Sequence, residues 1–147
     1  MSLETDEGTL KLFVTLGARR QRRLLLVQYE VPPSADKPGW WIPAPELAWG
    51  RDPYEQALAE AVRLGYPGET PRLMDVESFM LGDGLWQVIV HYVMDVETDP
   101  APGPNVREWR WFAAHELPEA ASFAHRRWDA ELARRMLAFE ALGTTPA

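Results

Sequence analysis

Polar and apolar positions alternate along much of the chain, and a helical period replaces the alternation in two places. Residues 9–16 (Thr-Leu-Lys-Leu-Phe-Val-Thr-Leu) alternate as a half-buried strand does. Gly17 to Gln21 reads as a turn. Arg23 to Val31 contains Leu24, Leu25, Leu26 and Val27, a short buried strand, so the two segments predict a hairpin. The Pro-rich stretch 32–39 is a loop by composition. Trp40, Trp41 and Ile42 then form a brief extended piece that ends at Pro43.

The clearest local signal begins at Asp52. Asp52 can cap a helix, Pro53 suits its first turn, and Glu55 stands where a capping box places an acid. Tyr54, Leu58, Ala61 and Val62 follow at helical spacing, and Gly65 supplies a stop. The pattern predicts a helix over about 53–64. Residues 73–80 read as a strand, 82–84 as a turn, and 86–96 as a central strand that is apolar on nearly both faces. A loop over 97–105 leads to a strand over 106–112. A long amphipathic helix is expected over about 122–142, with Trp128, Leu132, Met136 and Phe139 as its apolar stripe. Residues 1–8 and 143–147 read as flexible tails around one domain spanning 9–142. Strands and helices mixed within one domain give an α/β sandwich.

Composition narrows the function classes. The 147 residues suit one domain with a real core. Cysteine is absent, which excludes disulfides, thiolate zinc sites and a cysteine nucleophile. No apolar run approaches the roughly 20 residues of a membrane span. The first residues lack a signal peptide's basic and apolar regions, so a cytoplasmic protein without membrane partners is expected. Lys plus Arg total 15 and Asp plus Glu total 22, giving a net charge of -7. That balance argues against general binding to nucleic-acid backbones. It leaves open whether the acids serve a metal site or only solubility.

Several pieces then stand in a telling order. They are Trp40-Trp41-Ile42-Pro43, followed by Gly50, Asp52, Pro53, Glu55, Ala57 and Glu60. Downstream come Val88 to Tyr92, Trp109 to Phe112, and Glu116-Leu117-Pro118. Together they resemble the Nudix family over residues 9–142. The resemblance implies a Nudix-like α/β/α sandwich with a mixed sheet, in which helix 53–64 carries the family's box and helix 122–142 closes the chain. It also implies hydrolysis of a nucleoside diphosphate linked to another group. Mg²⁺ or Mn²⁺, held by glutamates on the box helix, would be the cofactor.

The box itself is degenerate. Aligned without gaps, Pro45 takes the place of its opening glycine, Arg51 that of its first glutamate and Ala59 that of its arginine. Glu60 is retained, while Arg63 and Leu64 replace the two remaining glutamates, and one residue is missing before Gly65. At about 100° per residue, positions 60, 63 and 64 share one face, with Leu58, Ala61 and Val62 opposite, toward the core. A hard cation needs several oxygen ligands, and a guanidinium repels it.

Each candidate residue therefore has two readings. Glu60 is a residual catalytic base and metal ligand, or one half of a solvated i,i+3 ion pair with Arg63. Glu108 is a further metal ligand from the last strand, or a solvated edge residue. Asp95, Glu97 and Asp99 are similar candidates with less support. Arg63 and Arg51 bind a phosphate group directly, or are surface arginines. Trp49, in the loop entering the box helix, stacks on a ligand, while most other tryptophans fill the core. The run from Arg19 to Arg23 contacts phosphates or forms a solvated hairpin tip. His91 is a satisfied core group.

The first functional reading is a domain that binds a nucleotide-like or phosphorylated small molecule with little or no hydrolysis. One alternative is an active metal-dependent pyrophosphohydrolase using Glu60. The other is a non-catalytic structural or homodimer-forming domain.

Overall fold

A computed structural model describes residues 1–140. The strands are β1 (Ser2–Thr5), β2 (Gly8–Arg20), β3 (Arg23–Tyr29), β4 (Arg72–Leu81), β5 (Leu85–Asp95) and β6 (Val106–Ala113). The helices are α1 (Pro53–Arg63) and α2 (Arg126–Ala138). One mixed sheet runs in the order β4-β5-β2-β3-β6, with β1 paired to β2. β2 and β5 are parallel from Thr9↔Leu85 to Arg19↔Asp95. The other neighbours are antiparallel. No helix among the described residues is long and apolar enough to cross a membrane.

β2 and β3 pair only beside their turn, at Arg19↔Leu24 and Arg20↔Arg23, and then splay apart. The segment 40–47 fills the gap. Trp41 exchanges backbone hydrogen bonds with Val27, Leu16 donates to Pro43, Val14 donates to Pro45, and Leu47 donates to Leu12. Prolines suit this position because they supply the carbonyls and have no amide hydrogens to satisfy. The splay opens the sheet where the candidate residues converge.

Two apolar clusters cover the sheet. Val14, Leu16, Leu25, Val27, Tyr92 and Met94 pack toward α1. Leu24, Leu26, Val93, Leu132, Ala133 and Met136 pack toward α2. Alternating strand residues feed opposite faces, as the period of two requires.

The start and stop of α1 follow the expected chemistry. The Asp52 side chain accepts from the Tyr54 amide at 2.7 Å, and Pro53 opens the helix. At its end the Tyr66 amide donates to Ala61 and the Gly65 amide to Val62, which is a Schellman cap. Gly65 has φ +94, and a Cβ there would lie 2.6 Å from the Ala101 backbone nitrogen.

Four expectations change. Gly17 belongs to β2, and a Cβ there would meet the Met136 sulfur at 2.5 Å. The turn is instead formed by Gln21 and Arg22, both with positive φ, which matches the twist of a two-residue hairpin. The C-terminal helix is shorter than 122–142. Ser122 and Ala124 bond on either side of Trp40, which holds Phe123 in a bridge and delays the helix to Arg126. Phe139 caps its far end, and residues 141 and 142 lie outside the described residues, as does the expected tail 143–147. Within the stretch expected to be a tail, residues 2–5 form β1. Finally, α1 turns a different face inward. Gln56, Ala57, Glu60, Ala61 and Leu64 are buried, whereas Val62 is 57% exposed. A stripe at positions 57, 60, 61 and 64 satisfies the helical period better than one through Val62.

Candidate functional site

The splay between β2 and β3 leads into a cavity of about 1060 Å³ that passes from the α1 side of the sheet to the α2 side. Its wall is ordered by aromatic contacts. Tyr29 meets Trp41 edge-on at 5.9 Å, Trp41 meets His125 at 4.8 Å, and His125 meets Trp128 at 6.0 Å. Glu60, Gln56 and Arg63 line the α1 end, and Lys37 and Asn105 stand on flanking loops. Asn105 holds its neighbour loop in two directions, accepting from the Val31 amide and donating to the Val31 carbonyl.

Glu60 is only 4% exposed, so the solvated reading of this residue is corrected. The ion-pair half of that reading stands, since Arg63 Nη1 donates to Glu60 Oε2 at 3.0 Å. Burial pushes the Glu60 carboxyl above its usual range, and the Arg63 charge only partly opposes this. The Tyr29 hydroxyl is raised too, first by burial and then by the Glu60 charge. Gln56 is tied down by accepting from the Ala48 amide at 3.1 Å. Arg63 keeps most of its side chain in the open.

The other predicted residues lie elsewhere. Arg51 is exposed before α1, and Trp49 is 75% exposed; neither lines the cavity. Glu108 sits on β6 opposite Gln28 and pairs with Arg110 at 2.9 Å, away from the cavity lining. Asp95 binds Arg19 and Arg72, and Asp99 binds Arg20. Those pairs also absorb much of the basic run.

Would this donor set suit the divalent cation that the resemblance implies? It does not. Among the described residues no three His, Cys, Asp or Glu side chains group closely enough to hold a metal ion. The one carboxylate at the α1 end already has a guanidinium on Oε2. No step through a metal follows from this geometry.

Cationic side chains line the cavity. Lys11, Lys37 and Arg63 all line the cavity. Its two carboxylates are already engaged, Glu60 with Arg63 and Glu46 with the amino group of Met1. A chain of net charge -7 therefore presents a cationic cavity.

The α2 end was not found by sequence reasoning. Its floor comes from sheet rows: Lys11 beside Gln87 beside Phe79, and Phe13 beside Ile89. Trp128 and His125 stand over it from the start of α2. Lys11 was hidden inside an alternating strand, and Trp128 inside an apolar helical stripe. The parallel pairing of β2 with β5, which links residues 76 apart, sets Lys11 beside Gln87, and the packing of α2 over the sheet brings Trp128 to the same cavity. Behind this floor His91 is fully buried and satisfied, as expected. Its Nδ1 lies 2.6 Å from the Thr15 hydroxyl and its Nε2 2.8 Å from Glu77.

No protein-family model and no curated protein matches the sequence. Solved structures do match the fold. A Nudix hydrolase from Nitrosomonas europaea aligns with a TM-score of 0.63 at 19% identity, covering 86% of this chain and 69% of that one. A C. elegans Ap4A hydrolase aligns at 0.64 and 17% identity, covering 88% and 96%. The M. smegmatis Nudix hydrolase RenU aligns at 0.62 and 15% identity, covering 97% and 98%. With its mixed sheet, splayed strands and two helices, this chain has the Nudix hydrolase fold.

Proposed function

We propose that the chain binds a nucleotide-like or phosphorylated small molecule through cationic side chains, with little or no hydrolysis of the metal-dependent kind. The observation that carries this reading is the pairing of Arg63 with buried Glu60 at 3.0 Å in a cavity that also holds Lys11 and Lys37. A guanidinium forks onto phosphate oxygens with two parallel hydrogen bonds, so it can hold the charge that a divalent ion would otherwise neutralise. Glu60 then acts as a positioning residue that fixes Arg63, and Lys37 adds a second cation near the mouth. The fold likeness favours a nucleotide over other phosphorylated molecules, since one matching protein is an Ap4A hydrolase. The cavity suits such a ligand, because small-molecule pockets commonly measure about 300–1,000 Å³.

The test is thermal melting of the full chain with ADP, ATP and inorganic pyrophosphate, each with Mg²⁺ and with chelator. Stabilisation in chelator that disappears in Arg63→Ala is expected. Stabilisation that requires Mg²⁺, with turnover abolished by Glu60→Gln, would support the metal-dependent hydrolase instead.

A further inference from the structure

The α2 end of the cavity holds an imidazole whose orientation is fixed from behind. His125 stands immediately before α2, with its side chain about one-third exposed on the cavity wall. Its Nδ1 lies 3.1 Å from Asp129 Oδ2, and the same oxygen accepts the His125 backbone amide at 2.7 Å. Asp129 is only 2% exposed, so this carboxylate has little else to bind. Trp41 and Trp128 hold the ring edge-on from two sides. A carboxylate can only accept, so Nδ1 carries the proton in this contact. In the neutral ring Nε2 is then a bare acceptor. Among the described residues no hydrogen bond occupies it.

The surroundings describe what would meet that acceptor. Phe13, Ile89, Phe79 and the two tryptophans give apolar and π surface suited to a flat ring. Lys11 and Gln87, neighbours across β2 and β5, are polar groups at this end, one a donor and one both donor and acceptor, while the Thr15 hydroxyl is taken by His91. We infer that this end is a ring-reading subsite in which His125, locked by Asp129, selects ligands whose ring edge carries an N–H donor. The inference rests on the anionic-ligand reading, because the cations at the α1 end are what would hold the ligand in place.

The test uses two matched pairs that differ at one donor: ADP against purine riboside 5′-diphosphate, and UDP against N3-methyl-UDP. Affinities are measured for the full chain at pH 8.5 in chelator. In the tighter-binding pair the donor-bearing member should bind about 2- to 12-fold better, the worth of one hydrogen bond. His125→Phe should bring that ratio to about 1. Arg63→Ala should weaken both members and keep the ratio. A ratio of 1 in the wild type, or an unchanged ratio in His125→Phe, overturns the subsite and leaves the anionic reading standing. Absence of binding by all four ligands overturns both. Should His125→Phe fail to fold, ¹⁵N NMR of the wild-type histidines decides. A bare Nε2 that responds to ADP and not to purine riboside 5′-diphosphate supports the subsite, and a protonated Nε2 opposite a bare Nδ1 overturns it.

Discussion

Glu60 and Glu77 are two carboxylates drawn into the protein on opposite faces of one sheet, and they are treated oppositely. Glu77 accepts from His91 at 2.8 Å, from Trp128 at 3.4 Å and from Arg135. Burial pushes its carboxyl up, but the hydrogen bonds from Arg135 and His91 outweigh this and hold it below its usual range. Glu60 has Arg63 alone, and its carboxyl stays raised. A half-buried carboxylate with three donors is a structural element, because its charge is already satisfied. A carboxylate buried beside a cavity with one partner costs stability, and such a cost is expected where a site needs the charge. The contrast supports the role proposed for Glu60 and gives Glu77 a structural one.

The largest expected effect breaks the architectural side. Glu77→Ala leaves the His91, Arg135 and Trp128 donors without their acceptor and should cost about 2–3 kcal/mol in chemical denaturation, chiefly because the buried His91 donor is left unsatisfied. Arg135→Met removes one donor and the bond to Asp75, at 2.9 Å, and should cost about 1–2 kcal/mol.

Acid sharpens the same contrast. Glu77 has a lowered folded pKa, so its contribution is present above the unfolded value of 4.5 and is lost as pH falls through the folded one. His91 is lowered as well, chiefly by burial, so its contribution is present above 6.5 and fades as pH falls through its folded value. Glu60 runs the other way: its folded form takes up a proton more readily than the unfolded chain, so stability is gained as pH falls through its folded pKa toward 4.5. Denaturation should therefore show a shallower acid loss in Glu77→Gln below pH 4.5, and in Glu60→Gln a steeper loss between the raised folded pKa of Glu60 and 4.5. At neutral pH Glu60→Gln should be neutral to about 1 kcal/mol stabilising, because a buried charge is removed. Marked destabilisation by Glu60→Gln would place Glu60 with Glu77 and erase the distinction. Arg63→Ala leaves the buried Glu60 carboxylate without its one partner and should cost about 1 kcal/mol at neutral pH, a loss that Glu60→Gln in the same chain should remove.

Local chemistry was legible in the sequence, and long-range pairing was not. Asp52, Pro53 and Gly65 announce α1 because caps and stops act within one turn. The strands were visible by alternation and the mixed sheet came through the fold resemblance, but the order of the strands appears only in the structure. The inward face of α1 was misread because Val62 is apolar and Glu60 is not, yet the cavity beside α1 lets a charge take an inward position. Arg51, Trp49 and Glu108 suited a site by residue type and by their place beside the box helix or on the last strand, and none of them lines the cavity. His125 and Asp129 are four residues apart and could have been noticed as an i,i+4 pair. They were passed over because a continuous helix from 122 was expected, whereas Trp40 captures Ser122 and Ala124 and leaves His125 at the helix start. Lys11, Lys37 and Arg63 come from distant segments, so only tertiary structure assembles the cationic cavity.

The central claim is that an arginine–glutamate pair replaces a metal as the anion-holding element. Calorimetric titration of the full chain with ADP, in chelator and in Mg²⁺, tests it most directly, with Arg63→Ala beside the wild type. The account predicts affinity unchanged within about 2-fold by chelator and lowered about 10-fold or more in Arg63→Ala, the worth of hydrogen bonds to a charged group. Binding that collapses in chelator and survives in Arg63→Ala would contradict it.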